Sequence, residues 1–354
     1  MASKIPSTMK AAVMTDLRQI RLVELPVPEP GPNEALVKVM AVGVCGSDIH
    51  YYEHGRIGRY TVKPPFLLGH ECAGVVAAVG KGVTRLKPGD RVAIEPGVTC
   101  GTCAACKSGR YNLCPDVRFL ATPPVDGAFA QYIIHREDFL FPIPDGMSYE
   151  AAALVEPFSV GIHAARRSAV QPGETVAIIG MGPVGLLAVV AARAFGAGEI
   201  IVADLESHRL EAARKLGATH TVPVGRQDPV DAILTLTEGR GADVAFETAG
   251  NGKALQAAVG ALRRGGRLSV VGLPAQGDIA LNIPFIVDNE IVVSGVFRYA
   301  NTYPDGIRFL ASGLADVDAM VTDRYSLEDT WDAMERALTA RSETLKVMVY
   351  PNGI

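Results

Sequence analysis

The sequence predicts an α/β region joined to a mostly β region, on three observations. Short β-rich runs separated by turn signals fill the chain as far as about Val160. Apolar runs alternating with helical stretches follow from about Gln171, and a glycine-rich string separates the first of those runs from its helix. At 354 residues, 48% hydrophobic and 20% charged, the chain is long enough for roughly two globular domains and too apolar to be disordered or collagen-like.

The N-terminal β runs are Lys10–Met14, Ala35–Val44, Gly74–Val79 and Arg91–Glu95, broken by signals such as Pro88-Gly89-Asp90. From Gln171 on, six apolar runs recur roughly every 20–25 residues: Thr175–Ile179, Ile200–Asp204, His220–Val224, Val244–Glu247, Leu268–Gly272 and Ile291–Val296. Strands covered by helices on both faces read as continuous Val/Ile/Leu runs, so this part predicts βα units on a parallel sheet. Near the end, Ser326 and Asp329 make a capping-box variant. Leu327, Trp331, Met334 and Leu338 then recur at helical spacing, which predicts a helix facing the core.

The formal charge is −4, with no run of like charges, so the chain offers no electrostatic footprint for nucleic acid or an anionic membrane. Its longest uncharged stretch, Thr175 to Ala192, holds Gly180, Gly182, Pro183 and Gly185 at its middle; this reads as strand, turn and helix rather than a membrane span. The N-terminus Met1-Ala2-Ser3-Lys4 opens no apolar h-region with a small-residue cleavage site, and a cytoplasmic location is expected. In that reducing compartment six cysteines point to metal or thiol chemistry rather than to a disulfide framework.

After the strand Thr175–Ile179 comes Gly180-Met181-Gly182-Pro183-Val184-Gly185, and then the helical Leu186–Phe195. In that context the first glycine serves a tight turn, the second lets a pyrophosphate approach the backbone, and the third lets helix pack on strand. The helix N-terminus adds free N–H groups and a positive dipole end. Asp204 ends the second strand, where a carboxylate accepts hydrogen bonds from an adenosine ribose and repels a 2′-phosphate, favouring NAD over NADP. Arg209 is placed either to pair a phosphate or to stack beside adenine. A glycine turn without a ligand is the alternative for the whole segment.

Four cysteines share one loop, Cys100, Cys103, Cys106 and Cys114, spaced C-x2-C-x2-C-x7-C. Such thiolates close a tetrahedral all-sulfur shell with no position left for substrate, which is the pattern of a structural zinc. Unliganded thiols or an iron–sulfur cluster are the alternatives, and no other redox centre is implied. Cys45 lies in Cys45-Gly46-Ser47-Asp48-Ile49-His50, while His70 and Glu71 lie in Gly69-His70-Glu71-Cys72-Ala73-Gly74. Thiolate, imidazole and carboxylate form a three-ligand set for a catalytic zinc with an open position. Cys72 is left over and reads as a small core residue.

Together with the glycine string, these segments resemble the zinc-dependent medium-chain dehydrogenase/reductase superfamily over essentially the whole chain. Cys45–Tyr52, Glu53–Gly58, Leu68–Glu71, Ala121–Pro124, Glu156–His163 and Gly295–Tyr299 look like its polyol branch, the sorbitol and xylitol dehydrogenases. The fold this resemblance implies is α/β plus β. A GroES-like, mostly-β catalytic domain covers 1–160 and 298–354, with a doubly wound Rossmann NAD-binding domain inserted over 161–297. One catalytic and one structural zinc, NAD, a polyol or ketose substrate and a homotetramer are implied with it.

The resemblance also carries residues. Cys45, His70 and Glu71 match zinc ligands, and Glu156 matches a residue that holds the zinc-bound water or substrate, so either carboxylate serves the metal depending on the state of the site. Asp48 matches the residue that orients the liganding histidine. Ser47 and His50 match a proton relay. Tyr51, Phe119, Glu156, Arg298 and Tyr299 match polyol contacts; Val184, Asp204, Arg209, Val271, Gly272, Leu273, Val296, Phe297 and Arg298 match NAD contacts beside Gly180, Gly182 and Gly185. The complete four-cysteine lobe, which familiar animal sorbitol dehydrogenases lack, brings the chain closer to microbial polyol enzymes. Two rival functions are a zinc dehydrogenase for an aldose or threonine and an NAD-binding redox sensor, and the intact set Cys45, His70, Glu71 and Glu156 counts against the sensor.

Overall fold

The computed structural model of the protein describes residues 5–274 and 277–353. The polypeptide divides into two units. One comprises the chain up to Glu156, Tyr303–Ala311 and the residues from Val317 on; the other comprises Pro157–Thr302 and Ser312–Asp316.

The first unit is built on a seven-stranded sheet whose central strand is Glu34–Gly43. This strand pairs antiparallel with Glu71–Val79 along one edge. Along the other it pairs with Tyr132–Arg136 through its first half and with Lys346–Tyr350 through its last two residues. Alternation puts Val37 and Val39, and past the register shift between Val39 and Ala41 also Val42, into the main core with Val92, Ile94, Phe129, Leu140, Met334 and Val349, all of them inaccessible to solvent. The β runs expected at Lys10–Met14, Ala35–Val44, Gly74–Val79 and Arg91–Glu95 lie in the strands Thr8–Asp16, Glu34–Gly43, Glu71–Val79 and Arg91–Ile94.

The helix Thr330–Thr339 departs from expectation in two ways. Ser326 Oγ donates to Asp329 Oδ2 at 2.6 Å, but neither side chain caps the backbone. Thr330, Ala333 and Met334 form the buried side, and Ala337 packs against the core. Trp331, about 100° round from Thr330, is therefore 46% exposed, its indole N–H donating to the Arg18 carbonyl at 3.1 Å.

The second unit carries a six-stranded parallel sheet in the order His220–Pro223, Glu199–Asp204, Thr175–Ile179, Ala242–Glu247, Leu262–Val270 and Val292–Gly295. These are the six runs read from the sequence, in the doubly wound arrangement whose strand order reverses beside the first strand. Thr175–Ile179 and Ala242–Glu247 are buried along their whole length, which explains why they lack alternation. Among the described residues, no helix is long and apolar enough to cross a membrane.

Candidate metal centres and dinucleotide site

The first metal cluster is assembled at the end of the central strand of the first unit. Glu34–Gly43 runs into the helix Gly46–His54, with Cys45 at its N-cap. Asp48, at the third helical position, accepts the Cys45 N–H on Oδ2 at 3.0 Å and the Gly69 N–H on Oδ1 at 2.9 Å, so one fully buried carboxylate ties the two ligand-bearing segments together. The same Oδ1 lies 3.5 Å from His70 Nδ1, which turns the other ring nitrogen to the cluster. The candidate ligand atoms of Cys45, His70 and Glu71 all lie within 4.8 Å of one another. Burial disfavours a charged His70 ring, but the Asp48 carboxylate and the Cys45 sulfur outweigh it and hold the His70 pKa well above its usual value.

Strand register explains why Glu71 is held. Gly43 pairs with Glu71 on one side and with Met348 on the other, and Lys346 stands two residues before Met348. The Lys346 ammonium, 1% exposed, ion-pairs with Glu71 Oε2 and donates to the Val44 carbonyl at 3.0 Å. A Cβ at Gly43 would lie 2.7 Å from Lys346 Cε and closer still to the Glu71 carboxylate, so this crossing needs glycine. Burial opposes the Lys346 charge, yet Glu71 outweighs it and raises the ammonium pKa. Sequence reasoning missed Lys346. The signal was there: one charged residue opening the otherwise apolar run Lys346-Val347-Met348-Val349-Tyr350, all five of them buried.

The remaining candidates of this unit are Phe119, Glu156 and three residues of the helix Gly46–His54. Phe119 is buried, its ring centroid 5.7 Å from that of His70. Glu156 is 6% exposed and stands outside the group of three mutually close ligands. Tyr51 is buried, Ser47 half-buried and His50 exposed, all on the helix Gly46–His54. Desolvation and the neighbouring His54, whose ring centroid is 6.0 Å away, lower the His50 pKa.

The second metal cluster is the cysteine loop. Cys114 Sγ lies 3.6 Å and Cys106 Sγ 3.9 Å from Cys100 Sγ, and all four sulfurs are free. A tetrahedron with Zn–S bonds of ~2.3 Å has edges of about 3.8 Å, so the sulfurs already have the spacing of a zinc shell. Backbone N–H groups point at the sulfurs, Cys103 N at Cys100 Sγ and Cys106 N at Cys103 Sγ. The Thr102 backbone N–H leads the interactions that bring the Cys100 thiol down to about 6, which favours the thiolate a metal needs. The loop is fastened through Tyr111, whose hydroxyl donates to the buried Glu95 Oε1 at 2.8 Å, while His135 Nε2–H donates to the Glu95 carbonyl at 2.8 Å. Burial pushes the Glu95 carboxyl up to about 8.

In the second unit the three glycines have distinct geometric roles. Gly180 has φ +104°, and a Cβ there would lie 2.7 Å from Ala249 N. Gly185 is pressed against the Gly180 carbonyl. Gly182 caps the helix Pro183–Ala194 and has nothing within 4 Å of its would-be Cβ, so the space in front of the free helix N-terminus is open for a pyrophosphate. Val184, in the first turn, is half-buried. Asp204 accepts the Met181 N–H at 2.5 Å and the Glu206 N–H at 2.8 Å, which fixes it at the rim of the glycine turn. Arg209 is half-buried on the helix Ser207–Leu216.

The other candidates of this unit follow the last two strands. Val271 and Gly272 are half-buried, and Leu273 is exposed. Val296 continues the sheet by donating to the Val270 carbonyl, and the Arg298 guanidinium sits 4.8 Å from the centroid of the exposed Phe297 ring. Arg298 has φ +51°, a left-handed conformation that few non-glycine residues adopt, and Tyr299 is buried.

Two family models match the chain. The alcohol dehydrogenase GroES-like domain matches residues 31–145, and the zinc-binding dehydrogenase model matches residues 183–312. A sorbitol dehydrogenase of Bacillus subtilis (strain 168) is 66% identical over 352 residues, covering 99% of this chain and 100% of that protein. The sorbitol dehydrogenase of Mus musculus is 44% identical over 93% of this chain and 92% of its own length. Among solved structures, an oxidoreductase/dehydrogenase of unknown specificity from Escherichia coli superposes with a TM-score of 0.93 at 40% identity, covering 97% of this chain and 99% of that one. The 2R,3R-butanediol dehydrogenase of Bacillus subtilis superposes with a TM-score of 0.88 at 34% identity, covering 97% and 100%.

Proposed function

This chain belongs to the zinc-binding dehydrogenases with a GroES-like domain, and from that premise we propose that it is an NAD-dependent polyol dehydrogenase. It oxidises a secondary hydroxyl of a sugar alcohol of the sorbitol or xylitol type to a ketose. The observation that carries this reading is the cluster of half-buried Cys45 with buried His70 and Glu71, braced by Asp48 and Lys346, in a chain so similar to sorbitol dehydrogenases.

Zinc held by Cys45, His70 and Glu71 supplies a Lewis acid for the secondary hydroxyl, and NAD at the Gly180–Gly185 turn supplies the hydride acceptor. The protein's own groups do the rest. Asp48 keeps one nitrogen of His70 turned to the cluster, and Lys346 holds the Glu71 carboxylate in place. Ser47 Oγ takes the hydroxyl proton and passes it towards His50, one helical turn along and exposed, whose lowered pKa leaves the ring neutral and ready to accept it. Glu156 and Tyr51 bond hydroxyls that do not react, a task the family resemblance also gives to Arg298 and Tyr299, and Phe119 walls the site beside His70. A site built from such donors and acceptors rejects an alcohol lacking the extra hydroxyls far more strongly than an apolar pocket does. The cysteine loop holds the second, structural zinc.

The enzyme acts in the cytoplasm as a homotetramer. Supporting self-association, Val292–Gly295 is an edge strand carrying exposed Val292 and Val293, and the preceding helix Ile283–Asp288 exposes Ile283 and Val287. Light scattering that gives the monomer mass would refute this part. The activity is tested by following NADH absorbance with NAD and a panel of polyols, with ethanol, glucose and threonine as comparators. Turnover confined to polyols is expected. Activity on a comparator alone would move the chain to a sister specificity and remove Arg298 and Tyr299 as polyol anchors.

A further inference from the structure

The strand Ala242–Glu247 ends on a carboxylate that the glycine fingerprint does not explain. Glu247 is 1% exposed, yet its Oε1 accepts two backbone N–H groups, from Ala249 at 2.8 Å and Gly250 at 2.7 Å. Its carbonyl accepts two more, from Val271 at 2.9 Å and Gly272 at 3.0 Å. One residue therefore fastens both segments that leave the sheet beyond the strand-order reversal: residues 248–250 after its own strand, and residues 271–273 after Leu262–Val270. Its neighbour fastens the other side, since Thr248 Oγ1 donates to the Gly180 carbonyl at 2.6 Å and Thr248 N–H to the Ile179 carbonyl at 3.0 Å.

These segments have no room to adjust separately. A Cβ at Gly272 would lie 2.8 Å from Glu247 Oε2 and hard against the Gly250 amide, and one at Gly250, already at φ +69°, would lie 2.9 Å from the Leu273 carbonyl. On the near side, Ala249 leaves no space for a Cβ at Gly180. Loss of the carboxylate frees the two part-buried N–H groups of Ala249 and Gly250 and removes the Oε2 packed under Gly272, so 249–250 can shift against 271–272, which stay bonded to the carbonyl of residue 247.

A dinucleotide on a doubly wound sheet lies across the reversal, its adenosine half on the first two strands and its other half at the ends of the strands beyond. We infer that Glu247 is a positioning residue for the nicotinamide half: it touches no reacting atom, but it fixes the backbones 248–250 and 271–273 on which that half rests. The inference builds on the reading that the chain binds a nicotinamide dinucleotide.

Calorimetric titration of the full-length protein with NADH and with ADP, which lacks the nicotinamide riboside, tests it. In Glu247→Ala the NADH dissociation constant should rise about tenfold or more while that of ADP stays within about twofold. Glu247→Gln keeps an oxygen for the Ala249 and Gly250 N–H groups and should stay within about threefold of wild type for NADH. Equal losses for both ligands, or unchanged NADH binding, would overturn the inference. Should Glu247→Ala fail to fold, Glu247→Asp, one methylene shorter, carries the test on the same split: an NADH-selective loss supports the inference and a parallel loss overturns it. Wild-type protein that binds neither ligand would instead overturn the cofactor reading beneath it.

Discussion

Replacing Lys346 by Met tests whether the buried ion pair behind the first metal cluster is a structural necessity. The substitution keeps the stem that packs under Gly43 and removes only the charge. Glu71, 1% exposed, then keeps a buried carboxylate without its cation, and the Val44 carbonyl loses its 3.0 Å donor. Breaking a buried pair from one side costs about 3–5 kcal/mol. At ~2–4 °C per kcal/mol for a unit of this size, the melting temperature of zinc-free protein should fall by roughly 6–20 °C. Because the folded-state pKa of Lys346 is raised, its contribution is fully present below the unfolded lysine pKa and is lost only as pH rises through the folded value, so a neutral buffer measures all of it. Lys10→Met serves as the control, since Lys10 and Glu328 pair in the open, with side chains 53% and 49% exposed, and such pairs contribute about 0–1 kcal/mol. The double variant Lys346→Met/Glu71→Gln, with neither charge left, should recover most of the loss. A Lys346→Met melt indistinguishable from that of Lys10→Met, or a double variant less stable than the single one, would refute this reasoning.

Other consequences follow from the same structure. Cys103→Ser should release about one equivalent of zinc per chain and loosen the loop to proteolysis while the first cluster keeps its metal, as metal analysis would report; loss of both equivalents would contradict two independent sites. Burial raises the Glu95 carboxyl to about 8, so the folded state binds a proton that the unfolded state has already lost. Stability relative to Glu95→Gln should therefore fall as pH rises from the unfolded carboxylate pKa towards 8, by up to about 1.4 kcal/mol per pH unit, and a difference in melting temperature that is flat with pH would contradict it. Asp204→Ser removes the carboxylate that repels a 2′-phosphate and should shift the NAD:NADP ratio of kcat/KM towards NADP by roughly 10–100-fold; an unchanged ratio would free Asp204 of that role.

The parts of the fold legible in the sequence were those where one physical constraint dominates. Two covered faces made the parallel strands read as unbroken apolar runs, and Thr175–Ile179 was located to the residue. The three glycines each leave a different mark, a positive φ at Gly180, open space at Gly182 and a close approach at Gly185, and their spacing records all three. The cysteine spacing was equally direct, because ligands from one short loop need no fold to bring them together. Less legible were groups whose meaning depends on register. Lys346 meets Glu71 only because both flank Gly43 in neighbouring strands, some 275 residues apart in the chain. Glu247 gains its four N–H donors from segments that meet only beyond the carboxyl ends of two neighbouring strands, so in the sequence it is simply the end of a strand. Trp331 failed the helical pattern for a different reason: Leu327, Met334 and Leu338 do face the core as the pattern predicts, but Thr330, Ala333 and Ala337 centre the buried side so that Trp331 falls at its margin.

The most direct test of the central claim follows one hydrogen. Zinc-replete enzyme is given NAD and sorbitol deuterated at carbon 2, and the reduced cofactor and the sugar product are both analysed by mass spectrometry. Oxidation of the carbon-2 hydroxyl by hydride transfer predicts deuterium in the reduced nicotinamide and an unlabelled ketose, with the reaction abolished in Cys45→Ser. Deuterium retained in the sugar, or an aldose as the product, would contradict it.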